Sequence, residues 1–152
     1  MGGGERTETV NAEVGTRNVA VGPPDVSDLL LRTREFALRT IRLVERLPRG
    51  RTTDVIGRQL LRSATSVAAN YRSARRGRSR KEFIAKMGIV EEEADESAFW
   101  LDLLVGAGLV PSPRIAALRD EANQLIAITV SSIKTARRGE RNVPRSAFGV
   151  PR

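Results

Sequence analysis

The chain has 152 residues, a formal net charge of +8, no cysteine, no histidine and only 4% aromatic residues. The length suits one domain, and the missing residue types exclude disulfides, thiolate metal sites and catalysis by Cys-His or Ser-His-Asp groups. The basic balance points to nucleic acid or another anionic surface; no apolar run approaches the roughly 20 residues of a membrane span, so a cytoplasmic protein is expected.

Residues 1–27 are rich in Gly, Thr, Glu and Val, close on Gly22-Pro23-Pro24, and read as a disordered tail. A first helix is expected from Asp28 to Leu47, with Ser27 as N-cap, Leu30, Ala37, Ile41 and Val44 on one face, and Pro48 closing it. A second, from Asp54 to Ala74, carries Ile56, Leu60, Ala64, Val67 and Tyr71 at helical spacing. Its small residues Ser63, Ala64, Ser66, Ala68 and Ala69 would let a neighbour approach closely, and Gly77 supplies its stop.

Ser79-Arg80-Lys81-Glu82 is a capping box directly before Phe83. From there Phe83, Met87, Val90, Ala94, Ala98, Leu101 and Val105 alternate at four and three residues, the period of helices packed nearly parallel. A rod about 40 Å long results, ended by Gly106 and Gly108. Pro111-Ser112-Pro113 opens a fourth helix with Ser112 as N-cap and Ile115, Leu118, Ala122, Leu125, Thr129 and Ile133 inward. Residues 139–152 read as a basic flexible tail. Short connections force antiparallel neighbours, so residues 28–138 are expected to form an all-α, up-down-up-down four-helix bundle.

That topology gathers charge. Within residues 28–138, 21 Lys and Arg face 13 Asp and Glu, so the body carries the whole excess. Arg72, Arg75, Arg76, Arg78, Arg80 and Lys81 crowd the turn between the second and third helices. The start of the first helix (Arg32, Arg34) and the end of the fourth (Lys134, Arg137, Arg138) should lie beside them. Some of these cations serve helix dipoles and solubility, but Arg80 and Lys81 stand at a helix N-terminus, where cations are mildly unfavourable. The excess over the nearby Asp28, Glu35 and Glu82 favours polyanion binding through phosphate contacts, with weak sequence preference.

The acidic run Glu91-Glu92-Glu93 with Asp95 and Glu96 resembles a carboxylate metal face, but without histidine a di-iron or catalytic-zinc site lacks its partners. Helical register instead sets Arg58 and Arg62 opposite these acids, giving ion pairs. Asn70 reads as a helix-to-helix hydrogen bond more readily than a ligand contact, and Tyr71 and Trp100 as packing more readily than base stacking. With no Walker-type loop either, neither an enzyme nor a cofactor is expected.

The run from Gln59 through Arg72, followed by Arg78-Ser79-Arg80-Lys81-Glu82-Phe83, resembles the four-helix-bundle proteins named after intervening sequences in bacterial 23S ribosomal RNA genes. Gly88 to Glu96, Trp100-Leu101, Glu121 to Leu125 and Lys134-Thr135-Ala136-Arg137-Arg138 extend the similarity. It is specific through the second and third helices and loose in the first. The resemblance implies a homopentameric ring with a basic surface proposed to bind RNA or DNA, and no assigned activity. One branch, the accessory variability determinants of diversity-generating retroelements, partners a reverse transcriptase; the resemblance does not choose that branch. Arg72, Arg78, Arg80, Lys81, Arg137 and Arg138 fall on its motif positions. A structural scaffold for a protein partner is the alternative function.

Overall fold

The computed structural model describes residues 26–141 and contains four helices: α1 (Val26–Glu45), α2 (Arg51–Arg75), α3 (Arg80–Gly106) and α4 (Ser112–Arg141). The expectations for the tails fall outside the described residues, except that α4 continues through Gly139 to Arg141. At the other end α1 is already helical at Val26, so Ser27 lies within the helix and is not its cap. Likewise α4 opens on Ser112, one residue earlier than expected, with the Arg114 N–H donating to Pro111 O at 3.0 Å.

The capping box forms with one change. Ser79 accepts the Glu82 N–H at 3.1 Å, while the Glu82 carboxylate reaches back to the Arg78 N–H at 2.8 Å. At the far end of α3, Gly108 adopts φ +69°, and the N–H groups of Gly108 and Leu109 bond to Val105 O and Leu104 O. This is a Schellman closure, which glycine favours because no β-carbon opposes the left-handed backbone. Gly77 stops α2 differently: a β-carbon there would come within 3.0 Å of Ala74 O and 3.3 Å of Phe83 N, so close approach demands the glycine.

Contacts join α1 to α2, α2 to α3, α3 to α4, and more thinly α1 to α4; among the described residues the backbones of the diagonal pairs do not approach one another. Neighbours run in opposite directions. Asp102 near the end of α3 bonds Arg119 near the start of α4, while Arg80 at the start of α3 meets Gly139 near the end of α4. On the α1–α2 side, Gly57 lies against Val44 and Leu47, and Arg34 shares a cleft with Ala69 and Arg72.

The inward stripes of α2 and α4 are those expected: Ile56, Leu60, Ala64, Val67 and Tyr71, and Ile115, Leu118, Ala122, Leu125, Thr129 and Ile133, are all buried. On α3 the stripe holds from Met87 to Leu101, with Leu104 and Ser97 added. Small residues bring α2 and α3 together, where Ser97 Oγ donates to Ser63 Oγ at 2.9 Å and Ser63 donates to Leu60 O at 3.1 Å. In α1 the stripe is rotated by one position. Leu29, Thr33, Phe36, Ala37 and Thr40 face the core, while Ile41 is exposed and Leu30 and Val44 lie at the margin. Thr33 and Thr40 satisfy their hydroxyls on Leu30 O and Phe36 O, so burial costs them no hydrogen bond.

Candidate polyanion-binding pole

Arg72, Arg75, Arg76, Arg78, Arg80 and Lys81 are all exposed around the α2–α3 turn. An open cleft of about 620 Å³ sits on this turn, lined by Arg75, Arg78, Arg80 and Phe83 and, from α4, by Ala136. The Arg80 guanidinium lies so close to α4 that a β-carbon on Gly139 would be 2.8 Å from it. A cation at the N-terminus of α3 thereby gains compensation, because its charge is delivered to the C-terminal end of α4, where the helix dipole favours it.

Lys134, Arg137 and Arg138 are exposed on the same final turns of α4, flanking Ala136 and Gly139. From α1, Arg34 joins Arg72, Arg75 and Arg76 around a second cleft of about 850 Å³ floored by Leu30, Ala37, Ala68 and Ala69. Arg34 has an exposed neighbour, Glu35, at 3.6 Å. The remaining pole residues, Arg72 through Lys81 and Lys134 through Arg138, form no ion pair among the described residues.

Arg32 does not belong to this group. Its Nε and Nη2 donate to the two Glu121 carboxylate oxygens at 2.9 and 3.1 Å, and Nη2 also reaches Gln124 Oε1 at 2.9 Å. The hydrogen bonds to Glu121 raise the guanidinium pKa against a smaller opposing effect of burial. Arg32 is thus a clasp between α1 and the middle of α4. Position along α1 places it near the pole, but its direction around the helix turns it away.

The acidic run behaves as an ion-pair face. Arg62 Nη1 bonds both Glu93 oxygens at 3.2 Å and Nη2 bonds Glu96 at 2.5 Å. Arg58 does not join them; it lines a small cleft by the α1–α2 loop with Leu47, Pro48 and Asp54. Among the described residues no group of three or more carboxylates is disposed to hold a metal ion. The Arg62 hydrogen bond, followed by one from Trp100, lowers the Glu96 pKa below its ordinary 4.5. A folded-state value below the unfolded one stabilises the fold above the unfolded pKa, and that stability is lost as pH falls through the folded value. Arg62→Gln should therefore lose less stability than the wild type between about pH 6 and about pH 3, and cost within about 1 kcal/mol at neutral pH because the pair is exposed. Urea midpoints at the two pH values check this; equal acid sensitivity of the two proteins refutes it.

Asn70 bonds within its own helix, its Nδ2 donating to Ser66 O at 2.9 Å, and so makes no helix-to-helix link. Tyr71 is buried in the core. Trp100 is partly covered, donates Nε1–H to Glu96 at 3.0 Å, and meets Phe99 edge-on with ring centres 4.9 Å apart.

Counting charge at one end missed a second basic cluster. Arg39, Arg42 and Arg46 of α1 and Arg114 of α4 surround a groove of about 260 Å³ at the opposite end, with Leu43, Ala117 and Leu118 between them. The antiparallel register of α1 and α4, applied at both ends, carries the signal. Among the described residues no helix is long and apolar enough to cross a membrane.

The family described as 23S rRNA-intervening sequence protein matches residues 27–131. A crystal structure of a protein of unknown function from the S23 ribosomal protein family of Bacteroides thetaiotaomicron is similar at 30% sequence identity and a TM-score of 0.68, covering 72% of this chain and 97% of that one. No curated protein matches the chain.

Proposed function

The chain belongs to the 23S rRNA-intervening sequence protein family, and from that premise we propose that it is a non-enzymatic, self-associating bundle that binds RNA or DNA through its basic pole. The observation that carries this reading is the set of exposed cations on the α2–α3 turn and the end of α4 that have no acidic partner among the described residues. Cations elsewhere that serve the fold, Arg32, Arg62 and Arg119, are each bonded to a carboxylate. The pole residues are not spent in this way.

The arginines would grip phosphate oxygens in pairs, with Lys81 and Lys134 acting as point charges. Among the described residues no element at the pole is shaped for base edges, so recognition would rest on backbone charge and shape. Assembly as a homopentamer in the cytoplasm would multiply the contacts along one strand.

Fluorescence anisotropy with short RNA and DNA at two salt concentrations tests this. Affinity should fall steeply with salt, log K losing about 0.7 for each tenfold salt increase per single-strand phosphate neutralised. Absence of binding at low salt overturns the reading in favour of a scaffold for a protein partner, such as a reverse transcriptase.

A further inference from the structure

The reading above names a polyanion and leaves its form open. We infer that the α1–α2 cleft beside the pole takes an unpaired nucleobase, with the flanking phosphates on the arginines at its border, so that the pole selects single strands with exposed bases. The inference rests on that reading and adds the class of strand.

The cleft has two unlike parts. Its floor is carbon: Leu30 and Ala37 of α1 lie across from Ala68 and Ala69 of α2. Two threonines also reach it, but their hydroxyl protons are committed, Thr33 to Leu30 O at 3.2 Å and Thr65 to Leu61 O at 2.8 Å. Its border is cationic, with Arg34 on one side and Arg72, Arg75 and Arg76 on the other. Arg34 keeps an exposed contact with Glu35 at 3.6 Å, whereas the three arginines of α2 form no ion pair among the described residues. No described acid lines the cleft.

The alanines create the space. They put only methyl groups where the two helices face each other here, and an opening of about 850 Å³ remains. Sites for small organic groups occupy roughly 300–1,000 Å³. Water over such a floor finds no free donor, so a flat apolar face that displaces it is favoured. A phosphate alone would use the border and leave the floor wet, and an acyl chain would use the floor with a single head group for four cations. A nucleotide strand uses both parts. The base covers the carbon, a guanidinium plane stacks on the other face of the ring, and the phosphates accept paired N–H donors. Base edges go unread, which accords with weak sequence preference.

Position supplies the strand. Arg75 lines both this cleft and the one on the α2–α3 turn, so the last turn of α2 stands between the two. A strand held on the turn passes over the apolar floor. In a duplex the bases are stacked and paired, and their faces do not reach it.

Anisotropy with a short DNA strand and an abasic strand of the same length tests this, because the two carry equal charge. At one low salt concentration the wild type should bind the base-bearing strand about tenfold more tightly. Ala68→Leu/Ala69→Leu fills the floor without changing charge and should bring the base-bearing strand down to the abasic affinity, with helicity kept. Should the double variant lose helicity, Ala69→Leu alone, at an exposed position, carries the same comparison. Equal affinity of the wild type for the two strands, or a preference that survives filling in a folded variant, would overturn the inference and leave the phosphate reading standing. Binding of neither strand would overturn both. Decanoate names the other occupant: its binding by the wild type and not by the filled variant, with no preference between strands, would assign the cleft to an acyl chain and overturn the inference.

Discussion

Replacing Arg75, Arg76, Arg78 and Arg80 with Glu should leave the helices intact and weaken oligonucleotide binding by a factor on the order of 100 or more at low salt. All four side chains are exposed, and none bonds a carboxylate among the described residues, so the fold loses little when they change. The binding surface loses its centre, since three of the four line the cleft on the α2–α3 turn. Circular dichroism and anisotropy on the same sample separate the two effects. Reversal of Arg49, Arg51 and Arg58, exposed near the other end, is the control. An equal loss per charge there would make net charge responsible and remove the pole's special role, as would unchanged affinity in the fourfold variant.

Phe36→Ala should destabilise the bundle by about 3–5 kcal/mol and lower its melting temperature by roughly 10 °C. Phe36 is completely buried and is the largest side chain that α1 contributes to the core. The small residues of α2 that share a cleft with α1, Ala68 and Ala69, cannot expand to fill the space it leaves. Thermal and urea unfolding measure the cost. A loss below about 1 kcal/mol would mean that α1 contributes little to the cooperative fold. Ile41→Ala, at an exposed position on the same helix, should cost far less in the isolated chain.

The contrast between those two residues shows where sequence was informative. In α2 and α4 the inward stripe consists mostly of aliphatic, small or aromatic residues at three- and four-residue intervals, with Thr53, Ser63 and Thr129 its buried hydroxyl positions, and the stripe is legible directly. In α1 two of the five core positions are threonines. Read as polar, Thr33 and Thr40 break the true stripe, and the stripe one position away, through Leu30 and Ile41, becomes the apparent one. Only backbone geometry reveals that their hydroxyls bond their own helix.

The pole was legible for a different reason: it follows from chain order and short loops, which fix the ends of elements without any knowledge of side-chain direction. Arg32 and Arg58 show the limit of that reasoning. Each lies at the expected height on its helix, and each points around it to another neighbour, Glu121 in one case and the α1–α2 loop in the other. Asn70 fails similarly, since its amide finds Ser66 O before any second helix. The groove between Arg39 and Arg114 involves residues far apart in sequence, and local charge density does not flag it.

The side chains of Arg72 through Lys81 form no ion pair among the described residues, and this bears on speed as well as strength. A polyanion approaching the protein there displaces counterions and water, with no ion pair among the described residues to break first. Its arrival is governed by long-range attraction across the solvent, which raises encounter rates well above those of neutral surfaces and fades as salt is added. Residence time, set by how many phosphates are held at once, then becomes the quantity that distinguishes one strand from another.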